Sequence, residues 1–126
     1  MEMANLLLIE DMKGVRESLT MVLEMAGHNV TTAGTGAEGI QAAQQQNFDL
    51  VITDILMPEV DGSEVILELK QNSASNVPVL GMSGGGSMVS AKEALRLADE
   101  YADEVMQKTF SRDEILSAVD RLTAAA

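Results

Sequence analysis

The sequence predicts an α/β fold built on a parallel sheet. Short apolar runs, in part β-branched, alternate with longer segments whose apolar residues recur every three or four positions. The short runs are typical of buried strands, and the periodic segments are typical of helices packed on a sheet. Five strand–helix pairs follow one another, which favours right-handed crossovers and helices on both faces. In such folds, ligands bind beyond the carboxyl ends of the strands.

Five short segments carry the strand pattern. Each is too short for a helix, and each is apolar or rich in β-branched residues, with the last segment the weakest of the five. In chain order, strands are expected at residues 5–9, 30–33, 50–53, 77–82 and 104–107.

Five longer segments carry the helix pattern, with apolar residues on one face. Many helices are followed by a residue in the left-handed backbone conformation, which glycine adopts readily. Gly27 directly follows the first helical segment and fits this position. Ser111 and Glu114 form a capping box that fixes the start of the last helix. Helices are expected at residues 12–26, 37–46, 63–71, 88–101 and 111–122.

Composition excludes several kinds of function. The 126 residues suffice for one domain and are too few for two, so residues 1–126 are expected to form a single domain. Eight Lys and Arg stand against 20 Asp and Glu, and the net charge of −12 argues against nucleic-acid or membrane-surface binding. Cysteine is absent, which excludes disulfides and thiolate chemistry. The sequence has a single histidine, His28, which argues against a metal site built from histidines and against a Ser-His-Asp triad.

No targeting segment is visible in the sequence. The apolar run at residues 6–9 is short and has acidic neighbours, unlike a signal peptide. No run approaches the roughly 20 apolar residues that cross a bilayer. A cytoplasmic location is therefore expected.

Polar residues suited to phosphoryl chemistry stand where the predicted strands end. These are Glu10 and Asp11 after the first strand, Asp54 after the third, Ser83 after the fourth and Lys108 after the fifth. Three carboxylates on one edge repel one another and favour a hard cation such as Mg²⁺. A hydroxyl and an ammonium group suit the oxygens of a transferring phosphoryl group, and one carboxylate would be the nucleophile.

The sequence around these residues resembles response-regulator receiver domains. Residues 54–62, DILMPEVDG, are similar to the family's phosphorylation segment, and the acidic pair, VRESL at 15–19, VPV at 77–79, Ser83 and Lys108 follow the family's order. The resemblance implies a flavodoxin/CheY-like (βα)5 fold with strand order 2-1-3-4-5. It also implies a stand-alone response regulator without an output domain. Such a protein accepts a phosphoryl group from a histidine kinase or histidine phosphotransfer protein and signals through protein–protein contact.

The resemblance further implies a role for each site residue. Asp54 would be the phosphoacceptor, and Ser83 and Lys108 would contact the phosphoryl group. The Mg²⁺ ligands would be the side chains of Glu10, Asp11 and Asp54 and the backbone carbonyl of Leu56. The chain would then be no conventional enzyme, because it would catalyse only its own phosphorylation and dephosphorylation.

Two positions depart from the family pattern. Val105 stands three residues before the lysine, where the family usually has an aromatic residue, and valine cannot swing between rotamers as a ring does. Thr109 stands where the family usually has a proline after a cis bond, and a cis bond before a non-proline residue costs about 2.5–4 kcal/mol. A receiver-like binding module with a vestigial site is the alternative hypothesis.

A glycine-rich segment offers a competing interpretation. Residues 34–39, GTGAEG, fit the dinucleotide fingerprint, with Asp54 20 residues after Gly34. The segment follows the second predicted strand rather than the first, and the chain has no room for a substrate domain. Turn and cap glycines are therefore the preferred interpretation. A hydrolase with an aspartate nucleophile is disfavoured because Leu56 stands where a second aspartate is usual.

The first helix carries a second stripe beside its core face, formed by Gly14, Ser18, Met21 and Met25. Small residues allow close approach and methionines adapt to a partner, so the stripe could contact the histidine protein. Alternatively, the methionines widen the core face. The sequence leaves both interpretations open.

Overall fold

Strands and helices alternate as the hydrophobic pattern predicts. The computed structural model describes residues 3–54, 77–83, 103–107 and 111–124. Within them lie β1 (Asn5–Ile9), α1 (Lys13–Met25), β2 (Asn29–Ala33), α2 (Gly36–Gln45), β3 (Leu50–Asp54), β4 (Val79–Ser83), β5 (Glu104–Gln107) and α3 (Arg112–Ala124). The helices predicted at 63–71 and 88–101 fall outside the described residues. None of the helices within these segments has the length and hydropathy to span a bilayer.

The five strands form one parallel sheet in the order β2-β1-β3-β4-β5, which confirms the predicted fold class and strand order. β2 lies at one edge. Its register with β1 places the hydrogen-bonding groups of Asn29, Thr31 and Ala33 toward that neighbour. The backbone groups of Val30 and Thr32 therefore face the open edge of the sheet.

Helices cover both faces of the sheet, as predicted. α1 and α3 share one face, where apolar side chains form the core cluster. The cluster includes Leu6 and Leu8 of β1, Leu50 and Ile52 of β3, Leu80 and Met82 of β4, Leu19 and Leu23 of α1, and Ile115, Ala118 and Val119 of α3. On the opposite face, α2 packs against Ile9.

The ends of α1 and α3 follow the predicted caps. Gly27 has a φ of 98°, and the amides of Gly27 and His28 close a Schellman motif after α1. At the start of α3, the Glu114 amide donates to Ser111 Oγ at 3.1 Å, and the Ser111 amide donates to Glu114 Oε1 at 3.0 Å. β4 begins at Val79 rather than at the predicted residue 77, because Pro78 has no amide hydrogen for the ladder.

Two aspartates close the amino end of the sheet. The Asn5 amide donates to Asp49 Oδ2 at 2.7 Å, and the Asp49 amide donates to the Asn5 carbonyl at 2.7 Å. Asp103 forms the same pair of bonds with Val79, at 2.7 Å and 2.9 Å. Each carboxylate thus satisfies the first amide of a neighbouring strand.

His28 is a structural residue in this fold. Its side chain is buried at the start of β2, and Nδ1 accepts a hydrogen bond from the Ala4 amide at 3.1 Å. Because Nδ1 accepts, the ring proton resides on Nε2. The amino end of the sheet, where His28 lies, is remote from the edge at which the strand-end carboxylates are expected.

Candidate functional site

Three carboxylates meet at the carboxyl end of the sheet. Glu10 and Asp11 directly follow β1, and Asp54 is the last residue of β3. Ile9 pairs with Thr53 across these neighbouring strands, so the next residues, Glu10 and Asp54, are brought side by side. Carboxylate oxygens of Glu10, Asp11 and Asp54 all lie within 4.8 Å of one another.

The burial of these groups makes their charges interact strongly. Glu10 is fully buried and Asp54 is 5% exposed, whereas Asp11 reaches solvent. Like charges at this separation repel, and partial removal from water strengthens the repulsion. A bound cation would remove it.

The donor atoms fit a hard divalent cation. All three groups offer carboxylate oxygen, which Mg²⁺ prefers over the nitrogen and sulfur ligands typical of zinc or copper. Two oxygens bound to one Mg²⁺ are at most about 4.2 Å apart, given its usual bond lengths. The observed spread of 4.8 Å is within a small side-chain rotation of that value.

The turn that carries the acidic pair is held by its backbone. The Glu10 amide donates to the Ala33 carbonyl at 3.0 Å, and the Glu10 carbonyl accepts from Arg16 Nη1 at 2.8 Å. Met12, the residue at the N-cap of α1, provides no side-chain cap. The bond from Arg16 has no signature in the sequence, because an arginine near the start of a helix does not indicate which backbone carbonyl it contacts.

The remaining predicted site residues follow the neighbouring strands. Asp54 pairs with Met82, so Ser83 lies one residue farther along β4. Ser83 in turn pairs with Gln107, the last residue of β5, and Lys108 follows it in the sequence. Val105 lies within β5, as predicted. Leu56, Lys108, Thr109 and the bond between 108 and 109 lie outside the described residues.

The glycine-rich segment has a structural role. Thr35 is the N-cap of α2, with Oγ1 accepting from the Glu38 amide at 3.1 Å, and Glu38 Oε2 accepts from the Gly34 amide at 3.3 Å. A Cβ on Gly39 would lie 2.3 Å from Ile9 Cδ1, so only glycine lets α2 approach β1 this closely. These contacts support the cap-and-packing interpretation over a dinucleotide site.

The second stripe of α1 faces solvent. Met21 is 63% exposed and Met25 is 68% exposed, while Gly14 and Ser18 are also exposed. The interpretation that these methionines widen the core face is therefore wrong. Their side chains form an apolar surface on a helix that begins beside the carboxylates.

Comparison with known proteins points to one family. Residues 6–120 match the response regulator receiver domain. The chain is similar to the probable transcriptional regulator ycf29 of Pyropia yezoensis, with 34% identity over 120 residues that cover 94% of this chain and 53% of that protein. The chain spans about half the length of the curated relatives it matches.

Solved structures share the fold. A response regulator receiver domain protein from Clostridium thermocellum superposes with a TM-score of 0.86 at 25% identity, covering 97% of this chain and 95% of that one. The receiver domain of the sensor histidine kinase PA1611 from Pseudomonas aeruginosa, solved with magnesium in its active site cleft, gives 0.86 at 20% identity, covering 98% and 99%. The family match spans the sheet and all three clustered carboxylates, and the chain belongs to the response-regulator receiver domains of two-component signalling.

Proposed function

We propose that this protein is a stand-alone cytoplasmic receiver whose Asp54 accepts a phosphoryl group from a phosphohistidine donor. The observation that carries the proposal is the meeting of Glu10, Asp11 and Asp54, with oxygens within 4.8 Å of one another. Receiver domains are signalling modules rather than conventional enzymes, so the product of the transfer is a changed interaction with another protein. The proposal treats residues 1–126 as one receiver domain.

The three carboxylates would hold Mg²⁺, with the Leu56 carbonyl as a further expected ligand. When bound, the ion would offset the negative charge that the carboxylates and the phosphoryl oxygens bring together. Glu10 and Asp54, both buried, supply the part of the site that stays fixed relative to the sheet.

The chemistry then falls to the chain's own residues. A carboxylate oxygen of Asp54 attacks phosphorus and the phosphorus–nitrogen bond of the donor breaks. The other ring nitrogen of the donor histidine carries a proton, so the histidine departs as a neutral imidazole. The Ser83 hydroxyl and the Lys108 ammonium are proposed to stabilise the phosphoryl oxygens during this transfer. Later attack by water returns Asp54 to the free carboxylate and releases phosphate.

Incubation with acetyl phosphate and Mg²⁺, followed by intact mass measurement, tests the phosphoacceptor. The wild-type chain should gain one phosphoryl group, and Asp54→Asn should gain none. Asp49→Asn is the matched control, because Asp49 stands at the other end of the same strand and is exposed. Wild-type protein that gains nothing would support the vestigial binding module instead.

The exposed stripe of α1 is proposed as the contact for the histidine protein. Methionine side chains adapt to a partner surface, and the stripe begins near Asp54 because α1 follows the acidic pair directly. The donor must approach that edge of the sheet to deliver its phosphoryl group.

Met21→Glu should slow phosphotransfer from the donor about tenfold, because a charge at a contact centre costs more than about 1.4 kcal/mol. Phosphorylation by acetyl phosphate should be unchanged. Met3→Glu is the matched control, since Met3 is 66% exposed and precedes β1 at the opposite edge. Equal loss with both phosphodonors would refute the docking role of the stripe.

A further inference from the structure

We propose that Arg16 is a positioning residue for the carboxylate site, acting through the backbone of Glu10. The inference rests on the proposed function, since the property it explains is the affinity of that site for Mg²⁺. Arg16 touches neither the cation nor the phosphoryl group in this proposal. Its guanidinium instead fixes the turn on which Glu10 and Asp11 are carried.

The first observation is the hydrogen bond to the turn. Arg16 is half-buried, and its Nη1 donates to the Glu10 carbonyl at 2.8 Å across six residues of sequence. A charged donor makes this bond stronger than a neutral one. Since the Glu10 amide is already bonded to Ala33, Arg16 completes the pairing of the Glu10 backbone.

The second observation is the space that Gly34 leaves. A Cβ at Gly34 would lie 3.3 Å from Arg16 Nη1 and 3.8 Å from Cζ, so the guanidinium rests against the turn that follows β2. Gly34 is itself held, because its amide donates to Glu38 of α2 at 3.3 Å. The guanidinium thus lies between two turns, one after β1 and one after β2.

The turn needs this support for a physical reason. Residues 10–12 connect β1 to α1 without a side-chain N-cap. Repulsion among the carboxylates pushes Asp11, the member that reaches solvent, away from Asp54. A fixed Glu10 peptide limits that movement and keeps the oxygens close enough for one cation.

Two possible roles of Arg16 predict effects of opposite sign. If its positive charge alone mattered, removal would tighten Mg²⁺ binding, because a cation near the site repels another cation. If it positions the turn, removal weakens Mg²⁺ binding. The sign of the change in Kd therefore separates the two roles.

Calorimetric titration of the whole chain with Mg²⁺ tests the proposal. Arg16→Met should raise the Kd for Mg²⁺ about tenfold. This is the lower end of the loss in metal affinity that follows when a residue that orients metal ligands is replaced. Arg16→Lys should give an intermediate Kd, since it keeps the charge but offers no planar fork. Lys13→Met is the matched control: it removes one positive charge from a side chain that is 79% exposed on the same helix, and Kd should stay equal or fall.

Thermal unfolding without Mg²⁺ shows whether each variant is folded. If Arg16→Met does not fold, Gly34→Ala provides a second test. Its added Cβ, on the turn after β2, would displace the Arg16 guanidinium and should also raise the Kd for Mg²⁺. Unchanged or lower Kd values in the folded variants would overturn the positioning role while leaving the proposed function intact. If wild type and Asp54→Asn gave the same titration, the Mg²⁺ site would fail, and the inference with it.

Discussion

The ring of His28 has one proton, and the Ala4 amide determines where it lies. Nδ1 accepts that amide at 3.1 Å in a buried position, so the side chain acts as an acceptor that fastens the segment before β1 to the start of β2. A buried amide without an acceptor destabilises a fold more than the bond itself stabilises it. His28 therefore contributes to the fold through its Nδ1 acceptor.

Replacing His28 by leucine should lower the free energy of unfolding by about 1–3 kcal/mol, because the Ala4 amide loses its acceptor. Asparagine has the same branching as leucine and can place Oδ1 where Nδ1 of the histidine lies. The loss of unfolding free energy in His28→Asn should therefore be about 1 kcal/mol smaller than in His28→Leu. Urea unfolding of both variants measures the difference. Equal destabilisation would show that the ring acts through packing alone.

Sequence reasoning found the three clustered carboxylates because strand ends are visible in the hydrophobic pattern. It could not find Arg16, whose acceptor is a backbone carbonyl, or the strand-closing role of Asp49 and Asp103. Each of these hydrogen bonds joins a side chain to a backbone group, which every residue has, so the sequence does not reveal the partner. They become apparent only when two strands are placed beside each other.

At the scale of elements, α2 and β1 approach each other closely at Gly39. Gly39 faces Ile9 so closely that a Cβ would lie 2.3 Å from Cδ1 and 2.6 Å from Cγ1. β1 is an interior strand whose other face belongs to the core cluster, so it cannot move away from α2 without disturbing that close-packed core. The glycine is thus required by packing and not by backbone conformation.

Gly39→Ala should lower the free energy of unfolding by about 1–3 kcal/mol through overpacking, despite the better helix propensity of alanine. Gly14→Ala is the control on α1: a Cβ there would meet no neighbouring side chain of the described residues within 4 Å, and the variant should gain up to about 1 kcal/mol. In the double variant, Ile9→Ala should reduce the effect of Gly39→Ala, because alanine has neither Cγ1 nor Cδ1. Urea unfolding of wild type, both single variants and the double variant gives the coupling, and additive effects would contradict the contact.

Element boundaries were predicted well where a cap marks them. Gly27 and the Ser111–Glu114 box mark the end of α1 and the start of α3. The start of β4 was misplaced by two residues, because the apolar run includes Pro78, which lies before the ladder of that strand. Hydropathy alone cannot show which residues donate hydrogen bonds.

At the scale of the whole molecule, charge is the dominant feature. The chain carries a net charge of −12, and three of its carboxylates are gathered at one edge. General repulsion falls with ionic strength, whereas repulsion inside a partly buried cluster is screened much less. Salt and Mg²⁺ should therefore stabilise the fold by separable routes.

Thermal unfolding in NaCl and in MgCl₂ at equal ionic strength separates these routes. For wild type, Mg²⁺ at ten times its Kd should add about 1.4 kcal/mol beyond the salt effect, since it binds only the folded state. Asp54→Asn should keep the response to NaCl and lose the extra response to Mg²⁺. An equal Mg²⁺ response in both proteins would argue against cation binding at the cluster.

The fold class followed from the alternation of strands and helices, but the strand order did not. Hydrophobic periodicity shows which segments are buried, but it does not show which strands are neighbours in the sheet. The order β2-β1-β3-β4-β5 came from the family resemblance and is confirmed by the sheet. Convergence of the acidic residues followed from parallel strands, since their carboxyl ends share one edge.

The open edge of β2 affects how the protein behaves in concentrated solution. Its outward-facing amides and carbonyls belong to a strand, NVTTA, that has no charged residue and no proline. Charged residues and prolines usually keep foreign strands from adding to the edge of a sheet. The net charge of −12 makes the molecules repel one another, which opposes such addition. Crowded, salt-rich conditions would weaken this protection, and self-association should then begin along β2.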